Sequence, residues 1–491
     1  MLAEIDKTRL RISAETEAKK KSRLGQFLTP ASTARFMANL FVKSTFPACR
    51  LLDPGAGIGS LAGAFLERWV ADGVDFTSVA LIACEIDPEL REALVRTLSA
   101  YQEKTPFTHE VVPGDFIEEA VNRLQFGTAG QFTHAIINPP YKKINTGSRH
   151  RLLLRQVGIE TVNLYTAFVA LALALLSPGG QLVAIIPRSF CNGPYYRPFR
   201  EFLLERAAIR HLHLFASRDK AFQDDAVLQE NVIILLERDA RQQDVMVSTS
   251  TDHSFNDYSE HQHTFDRIVR PDDPDRFIHV PTSFGHSTIE LSDAVRYTLD
   301  EIGLMVSTGP VVDFRLKEHL RQMPETGTVP LLYSGHFSGK TVEWPKESLK
   351  KSNAILRNTD TEKWLYPTGF YSVTRRFSSK EERRRIVASV VDPRVLTGAT
   401  ALGFENHLNV FHESKKGLLE ALAHGLTVFL NTTAVDEHFR LFNGHTQVNA
   451  TDLRAMKYPS RDALMALGKW AMENGELSQA MIDEQFAELS V

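Results

Sequence analysis

At 491 residues the chain has room for two or three domains and a large core. Cys49, Cys84 and Cys191 lie far apart and form no CxxC or metal-ligand pair; with no signal peptide, they point to a reducing cytoplasm. The net charge of −4 is unsuited to nucleic acid until it is divided: Val311 to Thr400 carries 16 Lys/Arg against 10 Asp/Glu, a basic segment on an acidic body and the usual footprint of local phosphate binding.

Residues 1–24 are charged and helix-prone, and lead into Gly25-Gln26-Phe27-Leu28-Thr29-Pro30 and a helical run over 31–42. From there to about residue 252 strands and helices alternate, which predicts a parallel sheet covered on both faces, with ligands at the C-terminal strand ends. The first strand runs into Asp53-Pro54-Gly55-Ala56-Gly57-Ile58-Gly59, a turn that opens a helix over 61–69. Glycines let the backbone approach a ligand closely and take positive φ. The spacing is Gly-x-Gly-x-Gly and not Gly-x-Gly-x-x-Gly, which argues against NAD. Asp53 suits a ligand ammonium better than a pyrophosphate.

A second strand, 79–83, ends in Cys84-Glu85-Ile86-Asp87, and an acid there commonly receives ribose hydroxyls. A third, 110–112, ends in Gly114-Asp115-Phe116, where a carboxylate can accept from an adenine amine and a ring can pack on its face. Each acid alone is equally well a helix N-cap. The apolar run 134–137 then ends in Asn138-Pro139-Pro140-Tyr141. Two prolines stiffen this turn and strip it of N–H donors, leaving the Asn138 carboxamide oxygen and the Pro139 carbonyl as acceptors for a planar amine under the Tyr141 ring. Four such turns in this order are not explained as caps.

Residues 164–176 read as a buried helix, too short to span a membrane. Strands follow over 181–186, 209–215 and 231–237, the last two forming an antiparallel hairpin. The polar stretch 252–275 interrupts the pattern, which places a catalytic domain over 1–285 and an α+β domain over 286–491. The second carries short aromatic strands such as 370–373 and helices over 414–424 and 461–473. Arg375, Arg376 and Lys380 around Phe377 mix guanidinium forks with an aromatic, as groove contacts do; Asn406, His407, His445 and Gln447 offer amides and imidazoles. The run 383–385 reads as a phosphate or solvent contact. None of the 17 histidines has HExxH spacing, no PD…ExK nuclease constellation is evident, and no metal is expected.

On these motifs the chain resembles the S-adenosylmethionine-dependent DNA amino-methyltransferases of the γ class, which make N6-methyladenine. It is similar over nearly its whole length to the PstI/BsuBI group of restriction-modification methylases, whose later signatures resemble 230–235, 307–315 and 444–454. The resemblance implies a class I methyltransferase fold, a Rossmann-like and mostly parallel sheet with an antiparallel edge hairpin, plus a target-recognition domain. It implies that Thr29 and Pro30 flank the cofactor's methionine with Asp53, Gly55 and Gly57 nearby. Glu85 takes the ribose, Ile86 and Phe116 pack on the adenine, and Asp115 accepts from its amine. Asn138, Pro139, Pro140 and Tyr141 become catalytic, and Phe222 a second ring on a flipped adenine. The implied partners are duplex DNA and a separate restriction endonuclease, with no membrane, for a monomer or weak dimer. Two rivals stand: a methyltransferase for RNA or protein glutamine, since the same turn suits any planar amide, and a non-catalytic DNA-specificity protein.

Overall fold

The computed structural model describes residues 1–15, 28–71, 73–127, 131–215, 230–271, 273–281, 294–338, 341–378, 382–442 and 447–489. The chain divides into two units, Met1–Phe284 and Gly285–Val491.

Nine strands form one sheet in the first unit: β1 Cys49–Pro54, β2 Val79–Glu85, β3 Thr108–Pro113, β4 Phe132–Ile137, β5 Leu176–Pro187, β6 Ala207–Phe215, β7 Asn231–Arg238, β8 Val245–Ser250 and β9 Ser259–His263. Their order is β3-β2-β1-β4-β5-β7-β6-β8-β9. β1 to β5 run parallel to one another, and β7 is antiparallel to both β5 and β6. Strands of such a sheet are buried on both faces and read as continuous apolar runs. Thus Ile136 joins Leu51, Val183 and Ile233 in one core, while Ala135 and Ile137 join Ile117, Leu171 and Leu203 in the other. Helices α1 Leu2–Glu15, α2 Ala31–Asn39, α3 Ser60–Val70 and α4 Pro88–Gln102 cover the first face. The second is covered by α5 Phe116–Gln125, α6 Arg149–Gln156, α7 Leu164–Leu175 and α8 Arg197–Arg206. α7 is apolar all round because it lies in the core. No helix among the described residues is long and apolar enough to cross a membrane.

The sheet is the expected methyltransferase fold, but the antiparallel hairpin is not its outer edge. β8 and β9 continue it, and β9 lies inside the polar stretch 252–275. β9 reads Ser-Glu-His-Gln-His and is mostly exposed, so it carries no apolar alternation; charge on an edge strand discourages pairing with another chain.

The second unit is α+β. Met305–Thr308, Leu408–His412, Tyr371–Arg375 and Ala388–Val391 form an antiparallel sheet. Its main helix runs Glu420–Leu430 rather than over 414–424. Ser414 and Lys415 take positive φ of 47° and 65°, which turns the chain back before the helix can begin. This helix crosses Arg461–Glu473 at two glycines. A Cβ on Gly425 would stand 1.8 Å from the Leu464 carbonyl oxygen, and one on Gly468 1.6 Å from that of Ala421, so the backbones touch only because both side chains are absent.

Candidate active site

The turn after β1 is built on left-handed glycines, Gly55, Gly57 and Gly59, at φ 75°, 58° and 88°. The Gly55 and Ala56 N–H groups donate to the Cys84 carbonyl at 2.8 and 2.9 Å, which stitches the end of β1 to the end of β2. Glu85 completes the stitch. Its Oε2 accepts from Gly57 N–H and its Oε1 from Asp87 N–H, both at 2.8 Å. Burial raises the Glu85 carboxyl above the usual carboxylate range against the pull of these donors. Asp87, not Glu85, caps α4, accepting from Glu89 N–H at 2.9 Å.

Asp115 is a helix cap, one of the two roles open to it in the sequence, and also meets a histidine. Its Oδ1 caps α5 through Ile117 N–H at 2.8 Å, and its Oδ2 meets His150 Nε2 at 2.7 Å. Burial alone would raise this carboxyl, but the bond to His150 and its charge outweigh that and hold it below the usual range. The same bond raises His150 against its own partial burial.

Asn138 sits at the end of β4. Its Nδ2 donates to Thr29 Oγ1 at 3.0 Å, tying the turn to the entrance of α2, where Pro30 holds the N-cap position. Its Oδ1 accepts from the Tyr141 hydroxyl at 3.3 Å, which also reaches the Ile185 carbonyl at 3.3 Å. Tyr141 is thus held by its hydroxyl, with Tyr165 edge-on at 6.2 Å.

An open cleft of about 930 Å³, partly continuous with solvent, runs along these turns. Gly55, Gly57, Glu85, Ile86, Asp115, Phe116, Asn138 and Pro140 line it; Thr29, Pro30, Asp53, Pro139 and Tyr141 do not. Lys142, His150, Leu164 and Phe168 also line it and were not read from the sequence. Leu164 and Phe168 carry no signal within an apolar helix; His150 stands in a basic run with Lys142, Lys143, Arg149 and Arg151 directly after the Asn138 turn, which could have been noticed.

A family model described as Eco57I restriction-modification methylase matches residues 73–222. The chain is 51% identical over 496 aligned residues to the type II methyltransferase M.BsuBI of Bacillus subtilis, covering 100% of this chain and 98% of the relative. It is 40% identical to M.PstI of Providencia stuartii over 98% of this chain and 95% of that one. The chain belongs to the type II restriction-modification methyltransferases. Among solved structures, a DrdV–DNA complex resembles this methyltransferase in fold alone, with a TM-score of 0.51 and 13% identity over 94% of this chain and 58% of the other.

Membership implies S-adenosylmethionine, and the cleft wall fits it. Leu28, Leu90, Phe116 and Phe168 offer apolar faces for a purine, and Glu85 and Asp115 offer acceptors for hydroxyls and an amine. Asp53 fits less directly. It is fully buried, neither carboxylate oxygen has a hydrogen-bond partner, and it is off the cleft wall. Burial pushes its carboxyl up to about 8, and the nearby Glu85 charge adds to this.

In the second unit of the methyltransferase, four expected DNA contacts come together. Arg376 donates to the Asn406 carbonyl at 3.1 Å and to Gln447 Oε1 at 3.2 Å, and its N–H donates to the His407 carbonyl at 2.8 Å. The His407 ring is fixed by the buried Glu405 at 2.8 Å and meets the half-exposed Phe377 at 4.8 Å. Arg375 instead faces Glu382 at 3.5 Å. Phe222, Lys380 and His445 lie outside the described residues. The run 383–385 requires correction. Arg385 is 1% exposed, with its N–H donating to Asp436 Oδ1 at 2.6 Å, and Arg384 donates to the Thr432 carbonyl at 2.7 Å. The Arg385 side chain itself donates to Ser378 Oγ at 3.2 Å, so the guanidiniums of Arg384 and Arg385 serve acceptors within this unit.

Proposed function

We propose that the chain is a site-specific DNA methyltransferase that modifies N6 of an adenine flipped out of duplex DNA, as the modification enzyme beside a separate restriction endonuclease. The observation that carries this reading is the Asn138-Pro139-Pro140-Tyr141 turn at the end of β4, on the rim of a cleft suited to S-adenosylmethionine. When bound, S-adenosylmethionine supplies a sulfonium-activated methyl group. The residues of the chain do the rest by position and fixed dipoles.

The amine of adenine is conjugated into its ring and is a poor nucleophile. Asn138 Oδ1, which accepts from the Tyr141 hydroxyl, and the Pro139 carbonyl are the two acceptors assigned to the amine. Accepting both amine hydrogens favours a pyramidal nitrogen with its lone pair aimed into the cleft. The Thr29 bond keeps the carboxamide oriented with its oxygen available. Flipping costs a few kcal/mol, and each aromatic face returns about 1–3 kcal/mol; Tyr141 and Phe222 are the rings assigned to that role. The basic segment and the Arg376 cluster support placing sequence readout in the second unit.

The test is incubation with S-adenosylmethionine and mixed-sequence duplex DNA, then nucleoside mass spectrometry. N6-methyladenine confined to one short motif is expected. N4-methylcytosine, or methylation of RNA or protein glutamine in place of DNA, would overturn the reading.

A further inference from the structure

His150 stands on the first turn of α6 and lines the cleft beside Asp115. The carboxylate between them is pinned twice. Oδ1 cannot turn away, because it caps α5 at 2.8 Å from Ile117 N–H. Oδ2 meets His150 Nε2 at 2.7 Å, which uses one of its two lone pairs and leaves the other for a donor in the cleft. We propose that His150 is a positioning residue for the adenine of the cofactor: protonated, it keeps Asp115 charged and aimed, so that the free lone pair on Oδ2 receives the exocyclic amine. This rests on reading the cleft as the S-adenosylmethionine site.

The charges around His150 agree with the role. Asp115 and Glu118, both on or beside α5, favour its protonated form, and Arg149 on its own helix opposes it. Arg149 is itself drawn aside by Glu118 at 3.0 Å. In the free protein the His150 side chain is 32% exposed and Asp115 23%, so water weakens their attraction. A planar ligand laid against the pair displaces that water and strengthens the charge-assisted bond. The complex therefore holds the proton more tightly than the free protein does. Affinity gained this way is fully present below the free-protein pKa of His150, itself raised from 6.5, and is lost as pH rises through the value in the complex.

Calorimetry on the full chain with S-adenosylmethionine, across pH and in buffers of different ionisation enthalpy, tests this. The wild type should bind several-fold more weakly as pH rises above the His150 value, with proton uptake on binding in that range. His150→Ala should bind about tenfold more weakly at pH near 6, the loss of one charge-assisted hydrogen bond, and show no pH dependence. His150→Gln keeps a donor and cannot titrate, so it should retain most of the affinity with a flat profile. A wild-type affinity independent of pH with no proton uptake, or tighter binding by His150→Ala, would overturn the proposal and leave the cleft assignment standing. Failure of the wild type to bind S-adenosylmethionine at any pH would overturn the cleft assignment as well.

Discussion

Glu85 and Asp115 are gripped by backbone N–H groups of their own turns or of the neighbouring strand end, whereas Arg376 is gripped by Asn406 and Gln447, which are 30 and 71 residues away. In the first unit, strand ends place Glu85 and Asp115, and side-chain bonds such as that of His150 to Asp115 are added to that frame. In the second, Arg376 and Gln447 meet with no such frame between them. A lost Glu85 side chain should therefore remove one contact and leave its neighbours in place, while a lost side chain in the Arg376 cluster should disturb the others.

The largest effect on turnover belongs to the cleft. Asn138→Ala should lower single-turnover methylation by two or more orders of magnitude, about 3–4 kcal/mol, with cofactor and DNA binding retained. Near-normal turnover would break the contrast at its strongest point. The largest on stability belongs to Asp53, whose carboxyl has no partner in the chain. Its folded-state pKa of about 8 exceeds the ordinary value of 3.8, so the folded chain holds the proton, and stability is lost as pH rises between those values. Asp53→Asn should be more stable than the wild type by roughly 5 kcal/mol at pH near 8, with little difference near pH 4, in denaturant titrations at both. Equal pH dependence in the two proteins would show that the group ionises freely.

Glu85→Ala should weaken S-adenosylmethionine binding by about 1.5–3 kcal/mol without altering DNA affinity, measured by calorimetry. The smallest effect tests the second unit. Arg376→Ala and Gln447→Ala should each weaken specific duplex binding, and the double variant should show a coupling of about 1 kcal/mol. Strict additivity would mean that the cluster is as modular as the cleft.

The first unit was legible because its turns fall where apolar runs stop. Asp53 and Glu85 end strands, and Asn138 follows one, that packing makes hydrophobic, so their positions carry the topology with them. His150 was not legible because a single imidazole in a basic helix becomes significant only when folding sets it opposite Asp115. β9 was missed for the opposite reason: an edge strand with mostly exposed side chains leaves no hydrophobic period. Arg384 and Arg385 misled because charge is a surface rule with exceptions wherever a guanidinium finds acceptors within the fold, as Arg384 does in the Thr432 carbonyl and Arg385 in Ser378 Oγ. In the second unit, the basic excess was visible, but nothing local in the sequence announces that Arg376 and Gln447 touch.

The crossing of Gly425 and Gly468 has a consequence for how such a chain can change. Where two side chains interlock, a larger one can be accommodated by a smaller partner, and lineages drift through paired exchanges. Here the obstacle to any side chain is a carbonyl oxygen, which every amino acid possesses, so no exchange on the opposite helix can make room. The joint is closed to compensation from across the crossing. Surface loops of the second unit can diversify, while this one contact has to be inherited unchanged.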